Sequence, residues 1–145
     1  MIAIASAFLA IAVAEPLQAQ ITVEKELRLS RLEGLVYDES GKPISEATVS
    51  IAQNGVPVQS VVTDKVGGFR IENIQGRCLL HVVSLHHASA YREVYVTHSP
   101  DTLYSSPTLY VILRPAGCMD DCSFIVTSRK KFEKILRSYT ESGHQ

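Results

Sequence analysis

The chain has 145 residues and a formal charge of −1, from 14 Lys and Arg against 15 Asp and Glu. This length suits one domain, and the charge balance excludes a dedicated nucleic-acid binder, which carries a strong basic excess. Hydrophobic residues make up 46% and charged residues 20%, which excludes wholesale disorder. Three Cys are too few for a disulfide-dense miniprotein.

Residues 1–19 are predicted to be a secretory signal peptide. The apolar run from Ile2 to Ala14 is shorter than the roughly 20 residues that a bilayer-spanning helix needs. A polar stretch and the small Ala19 follow, so cleavage is expected near Ala19–Gln20. No Lys or Arg precedes the run, and a buried N-terminal helix or strand is the alternative. Cleavage would leave an exported chain without a transmembrane segment.

After an N-terminal extension (20–30), residues 31–115 are predicted to form an all-β, antiparallel sandwich. The β-branched and aromatic runs are short, and turn-forming Gly, Asn, Asp and Pro separate them. Absence of a helical period between the runs favours a sandwich over alternating helices and strands. The seven predicted strands lie at Leu32–Asp38, Ala47–Ile51, Val56–Thr63, Phe69–Glu72, Cys78–Leu85, Tyr91–Thr97 and Leu109–Leu113.

Alternation within these strands predicts which side chains face the interior. One face of each strand carries the large apolar residues, and the opposite face is more polar. The predicted core comprises Val36, Ala47, Val49, Ile51, Phe69, Ile71, Leu80, Val82, Val111 and Leu113. Cys78 alternates onto the same interior side and is expected to be a reduced core residue.

The tail, residues 116–145, has a different pattern. Cys118 and Cys122 are four positions apart. This spacing is compatible with three alternatives: a disulfide that closes a short loop, two free thiols, or a metal-binding or redox role. Ser128 is expected to cap a helix from Arg129 to Tyr139. Its apolar residues recur at spacings of three and four, and residues 129–141 carry a net charge of +3 from five Lys and Arg against two Glu. The helix therefore either packs on the domain or binds a partner or anionic surface. The apolar positions are Phe132, Ile135, Leu136 and Tyr139.

The stretch from Leu32 to Leu113 resembles the carboxypeptidase regulatory-like family. The matching blocks are Gly34-Leu-Val36-Tyr-Asp38, Gly41-Lys-Pro43-Ile44, Ala47-Thr-Val49, Thr63-Asp64, Gly67-Gly-Phe69-Arg-Ile71, Gly76-Arg-Cys78-Leu-Leu80-His-Val82 and Leu109-Tyr-Val111-Ile-Leu113. The resemblance implies a seven-stranded Greek-key sandwich of the prealbumin (transthyretin) type. Two departures are Cys78, where family members often have an aromatic residue, and His86-His87, near which they often have a Gly-Tyr pair.

No catalytic, cofactor or metal site is predicted. The chain lacks a Gly-x-Ser-x-Gly elbow and an H-E-x-x-H helix. His86 and His87 are adjacent and point to opposite sides of an extended chain, and no spacing completes a zinc site. Hydroxyisourate hydrolases, an enzyme class with the transthyretin-like fold, end in Tyr-Arg-Gly-Ser, whereas this chain ends in Glu-Ser-Gly-His-Gln.

The predicted signal peptide and the resemblance together imply a non-catalytic exported module for binding or scaffolding, located in the periplasm or on the surface of a Gram-negative bacterium. Related domains are appended to metallocarboxypeptidases, to surface proteins and to the N-termini of TonB-dependent receptors. The alternatives are a remnant of such a receptor and a carbohydrate-binding module, in which Tyr91, Tyr95, Tyr104 and Tyr110 would stack on sugars.

A contact surface is predicted where exposed side chains of a strand and its following loop meet a partner. The candidate residues are Tyr91, Tyr95, His98, Asp101 and Tyr104. The expected partner is another envelope protein or a glycan, and not a nucleic acid. The oligomeric state is left open.

Overall fold

The computed structural model describes residues 27–97, 107–118 and 122–142. These residues form nine strands and one helix: β1 (Leu27–Leu29), β2 (Leu32–Asp38), β3 (Thr48–Gln53), β4 (Val56–Val62), β5 (Gly68–Ile71), β6 (Gly76–Val83), β7 (Ala90–Val96), β8 (Leu109–Leu113), β9 (Phe124–Val126) and α1 (Arg129–Ser142). One sheet has the strand order β1-β7-β6-β3-β4, and the other has the order β5-β2-β8-β9. The predicted all-β sandwich with a C-terminal helix is confirmed.

Two details of the prediction are wrong. The described residues contain nine strands rather than seven, because β1 and β9 extend the two sheets. The sandwich is also not purely antiparallel, since β1 pairs in parallel with β7 and β2 pairs in parallel with β8. Strand β1 therefore lies before residue 31, and β9 lies after residue 115.

The core lies between the inner faces of the two sheets. All ten predicted core residues are buried, with exposures of 0–6%. Cys78 is buried and free, as predicted. Burial raises the pKa of the Cys78 thiol, and a hydrogen bond from Gln53 Nε2, at 3.4 Å, opposes that rise. Alternating strand positions thus give one continuous apolar layer.

Two tight turns show how the sequence fixes strand register. Asn54 and Gly55 both have positive φ, of 51° and 75°, and together form the two-residue connection of the β3–β4 hairpin. This pair supplies the backbone twist that matches the flanking strands. In the β4–β5 turn, Asp64 Oδ1 accepts hydrogen bonds from the N–H groups of Val66 and Gly68, at 3.0 and 2.8 Å.

The turn after β2 is held by the Asp38 carboxylate. Asp38 Oδ1 accepts hydrogen bonds from the Ser40 N–H at 2.9 Å, the Ser40 hydroxyl at 2.7 Å and the Lys42 N–H at 3.0 Å. Burial alone would raise the pKa of Asp38, but these hydrogen bonds, assisted by the charge of His87, hold the pKa below its usual value. The charged carboxylate therefore stabilises the folded turn.

Asp38→Asn is expected to lower the free energy of unfolding by about 1–2 kcal/mol near neutral pH, because the ionised acceptor is lost. A carboxylate whose pKa is lowered on folding contributes its full stability above its unfolded pKa, about 3.9, and loses it as the pH falls through the folded value. Urea unfolding across the acid range should therefore show the gap between wild type and Asp38→Asn closing below about pH 4. Glu141→Gln, on an exposed side chain of α1, should show no such gap, and a constant gap for Asp38→Asn would contradict the assignment.

The helix α1 packs on the outer face of the four-stranded sheet. Ser128 Oγ accepts a hydrogen bond from the Lys131 N–H at 3.3 Å, so the predicted cap is present. The Phe132 ring lies 5.0 Å from the rings of both Tyr37 and Tyr110. Ile135, Leu136 and Tyr139 join the same cluster, together with Ile112 and Val126 of the sheet. The helix ends at Ser142, three residues beyond its predicted end.

No helix within the described ranges is long and apolar enough to cross a membrane. The predicted signal peptide at residues 1–19 lies outside the described residues.

Candidate contact surface

The outer face of the five-stranded sheet carries exposed apolar side chains. Strand register places them together: Val62 and Val83 flank Thr48, and His81 pairs with Ser50 on one side and Tyr91 on the other. Tyr91 is 59% exposed, Val62 60%, Leu79 40% and Val83 38%. We call Val62, Leu79, His81, Val83 and Tyr91 the open face. No described residue covers it, whereas α1 covers the outer face of the other sheet.

His81 and Tyr91 form the centre of the open face. Their rings stack with centroids 4.0 Å apart and planes inclined by 7°. Nε2 of His81 is buried and has no hydrogen-bond partner among the described residues. Burial lowers the pKa of His81, which favours the neutral ring. His81 therefore supports one side of the exposed Tyr91 ring as an uncharged, largely apolar surface.

The structure places two of the predicted contact residues, Tyr91 and Tyr95, on the outer side of β7, at positions that alternate with the buried Val94. Tyr91 is exposed on the open face, whereas Tyr95 is half-buried with the Arg28 guanidinium 5.4 Å from its ring centroid. His98, Asp101 and Tyr104 lie outside the described residues. Strand β7 is also not an edge strand along Val94–Val96, because β1 pairs with it there. The exposed feature of β7 is thus its outer face.

The remaining residues of the open face were not among the predicted site residues. His81 also lies on the outer side of β6, opposite Tyr91. Leu79, His81 and Val83 occupy the alternate positions to the core residues Leu80 and Val82. Their apolar character on the solvent phase of β6 was the sequence signal for this surface, since solvent-facing strand positions are usually polar.

The edge strand β4 is poorly suited to pairing with another strand. Pro57 lies within it and has no N–H to donate. The register with β3 shifts at Ile51/Ala52, where the ladder is irregular. Proline and bulges both blunt sheet edges against strand addition. The face of this sheet is therefore a better contact surface than its β4 edge.

A disulfide and two hydrogen bonds hold the first part of the tail against the sandwich. Cys118 and Cys122 form a disulfide, with Cα atoms 6.2 Å apart. The Ser123 hydroxyl donates to the Ala88 carbonyl at 2.8 Å, and the Ala88 N–H donates to the Arg114 carbonyl at 2.7 Å. These contacts fix the start of β9 and so position the helix that follows.

A groove of about 620 Å³ lies between the turn after β2 and the end of α1. Arg114 lines it: Nε lies 3.5 Å from Glu39 Oε2, and the guanidinium carbon lies 4.5 Å from the Tyr139 ring centroid. The hydroxyls of Ser138 and Thr140 donate to helix carbonyls at 2.6 and 3.0 Å. Because these polar groups already have partners, the groove is explained as a junction between helix and sandwich.

The described residues contain no group of three or more His, Cys, Asp or Glu side chains placed to hold a metal ion. Thr63 is the one buried polar residue among them. Its hydroxyl donates to the Ile44 carbonyl at 2.7 Å and accepts from the Ala47 N–H at 2.9 Å. These bonds satisfy the hydroxyl and give Thr63 a structural role.

The family model of the carboxypeptidase regulatory-like domain matches residues 31–105, just over half of the chain. The chain belongs to this family. Among curated proteins, none matches the chain. The matched range includes β2 to β7 of the regulatory-like domain and the whole open face, while β1, β8, β9 and α1 lie outside it. The family is a non-catalytic one, and the matched range holds the blocks on which the resemblance rested except the last, Leu109–Leu113.

Proposed function

We propose that this regulatory-like domain is an exported, non-catalytic module of the cell envelope that binds another envelope protein through the open face. The observation that carries the proposal is the contrast between the two outer faces of the sandwich. Phe132 and its neighbours on α1 cover the four-stranded sheet. Tyr91, Val62, Leu79 and Val83 remain exposed on the five-stranded sheet. Contiguous apolar surface flanked by polar residues is typical of protein contact sites.

The composition of the open face favours a protein partner. Its centre is a Tyr ring stacked on an uncharged His81, and the aliphatic Leu79 and Val83 are the outward positions on either side of His81 along β6. Glu93, which pairs with Leu79, supplies a charge next to this centre. Interfaces concentrate aromatic side chains and exclude charge at their centre. Sugar binding has less support, because Tyr110 stacks on Phe132 at 5.0 Å and Tyr95 is half-buried. Of the three sugar-stacking candidates that lie among the described residues, Tyr91, Tyr95 and Tyr110, only Tyr91 is exposed.

The non-catalytic part of the proposal rests on the filled interior. Catalytic acids, bases and nucleophiles usually need a partly buried polar pocket that shifts their pKa. The space between the sheets is occupied by aliphatic side chains, including Val49, Leu80 and Val111, which are fully buried.

Export is tested by mass spectrometry of the protein from the envelope fraction. The apolar run Ile2–Ala14 and the small Ala19 support a mature N-terminus near Gln20. Protein that retains Met1 and is recovered from the cytoplasm would contradict export.

The contact surface is tested by photo-crosslinking in cells. A photoreactive phenylalanine at position 91 is expected to give one discrete adduct with an envelope protein, because Tyr91 stands at the centre of the open face. The matched control is the same residue at position 66, because Val66 is equally exposed, at 61%, but lies in the β4–β5 turn. Adducts of equal yield from both positions, or from position 66 alone, would contradict the open face as the contact surface. Capture of a glycan by Tyr91 instead of a protein would favour the carbohydrate-binding alternative.

A further inference from the structure

The solvent side of α1 carries a continuous row of cations. Lys130, Lys131, Lys134 and Arg137 are all exposed or partly exposed, and we call them the basic ridge. Their spacing places them away from the helix side that packs on the sandwich. No ion pair joins the ridge to another described residue, whereas Arg129 next to it pairs with Glu133 at 3.2 Å.

Positive charge is concentrated on this helix. Residues 27–97 contain seven Lys and Arg and seven Asp and Glu, so β1 to β7 and their turns are balanced. By contrast, α1 contains five Lys and Arg against two Asp and Glu. Because the whole chain is slightly acidic, any attraction to an anionic surface must come from this local row of charges.

Two cations of the basic ridge lie at positions where a positive charge lowers the stability of α1. The N-terminal end of a helix carries a partial positive charge, which disfavours Lys130 and Lys131 in the first turn. That turn contains no acidic residue. Ser128 caps the helix and Lys131 is the third helical residue, where a Glu would complete a capping box. Lys at both positions therefore gives a less stable helix than an acidic residue would, and a binding role accounts for the cations there.

We propose that the basic ridge binds the surface of a bilayer that contains anionic phospholipids. The ridge is convex and solvent-facing, and lies on one helix, so it suits a flat array of phosphates better than a peptide that needs a groove. It contains no aromatic side chain for stacking on nucleic-acid bases. The apolar residues of α1, including Phe132 and Leu136, already pack on the sandwich. Binding is therefore electrostatic, without insertion, and weakens with salt.

This attachment also orients the domain. The helix covers the outer side of the four-stranded sheet, and the open face is the outer side of the other sheet. A domain with α1 against the bilayer therefore directs Tyr91 and the open face away from the membrane. The proposal does not depend on a partner at the open face, so its failure and that of the proposed function are separate results.

The test is sedimentation of the full chain with vesicles of phosphatidylcholine in which one third of the lipid is phosphatidylglycerol. The double variant K130E/K131E is expected to bind at least about 30-fold more weakly, since each cation near such a surface contributes about fivefold. The same variant should have a higher melting temperature, because acidic side chains suit the first turn and the K131E change completes the capping box. The charge-matched control R28E/K65E changes residues away from α1 and should bind like the wild type.

Several results would overturn the proposal. Equal binding of wild type and K130E/K131E, or equal loss in R28E/K65E, would remove the ridge as the binding element. Equal binding to pure phosphatidylcholine vesicles would assign the attachment to uncharged contacts, such as the apolar run Ile2–Ala14. Tight binding to duplex DNA or polyglutamate without binding to the anionic vesicles would assign the ridge to another polyanion.

Discussion

Phe69→Ala is expected to lower the free energy of unfolding by about 3–5 kcal/mol, measured by urea unfolding. The Phe69 side chain is 6% exposed and belongs to the core. Its ring lies over Gly34 of the neighbouring strand, so close that a Cβ on Gly34 would come within 2.8 Å of it. Truncation would leave a cavity that Gly34, without a side chain, cannot fill.

Phe124→Ala is the matched control, because it makes the same truncation on an outward side chain of β9 that is 36% exposed. This change should lower the free energy of unfolding by about 1 kcal/mol, because part of the ring already contacts solvent and its removal leaves no closed cavity. Equal losses for the two variants, or a loss below about 1 kcal/mol for Phe69→Ala, would contradict the packing assigned to Phe69.

Gly67→Ala is expected to lower the free energy of unfolding by about 3–4 kcal/mol, through left-handed backbone strain and overpacking together. Gly67 has a φ of 76°, and an added Cβ would collide with the carbonyl oxygen of Val36. That carbonyl is fixed because it accepts a hydrogen bond from the Ile44 N–H at 2.9 Å. The Val36 N–H also donates to the Gly67 carbonyl at 2.9 Å. The added Cβ would therefore clash with the backbone of Val36, which hydrogen bonds hold in place through both its N–H and its carbonyl.

Gly55→Ala separates the two causes. Gly55 has nearly the same φ, 75°, but nothing lies within 4 Å of the added Cβ. Only the backbone strain applies, so its cost should be about 1–2 kcal/mol. Similar losses at the two positions in thermal or urea unfolding would show that the close approach to Val36 does not limit residue 67.

The strands predicted from the sequence were those with strong alternation. Strands β2 to β8 lie within about two residues of their predictions, and Val36, Val49 and Leu80 are buried as expected. The cap at Ser128 and the helix start at Arg129 were readable for the same reason, since both depend on local chemistry. Local periodicity and turn residues were therefore sufficient to predict this part of the fold.

Strands β1 and β9 were missed because each has only three residues. Such a run is too short to show alternation, and its pairing depends on distant chain segments. Leu29 becomes 1% exposed only through the parallel pairing of β1 with β7. The parallel arrangement of β2 and β8 likewise arises from how the chain crosses between sheets, which no local pattern specifies.

The contact surface was predictable only in part. Exposure of Tyr91 followed from its strand phase, but its stacking on His81 required the register of β6 with β7. Whether the outer face of either sheet is covered depends on where α1 packs. The apolar spacing of α1 indicated an amphipathic helix, but not which sheet Phe132 would contact.

The most direct test of the open face is hydroxyl-radical footprinting of the protein alone and in the envelope fraction. In the isolated protein, Tyr91 should be modified fast and Tyr110, which stacks on Phe132, slowly. In the envelope fraction, Tyr91 should become protected while Val66, exposed in a distant turn, should not. Slow modification of Tyr91 in the isolated protein, or an unchanged rate in the envelope, would contradict the open face as the site at which the domain binds its partner.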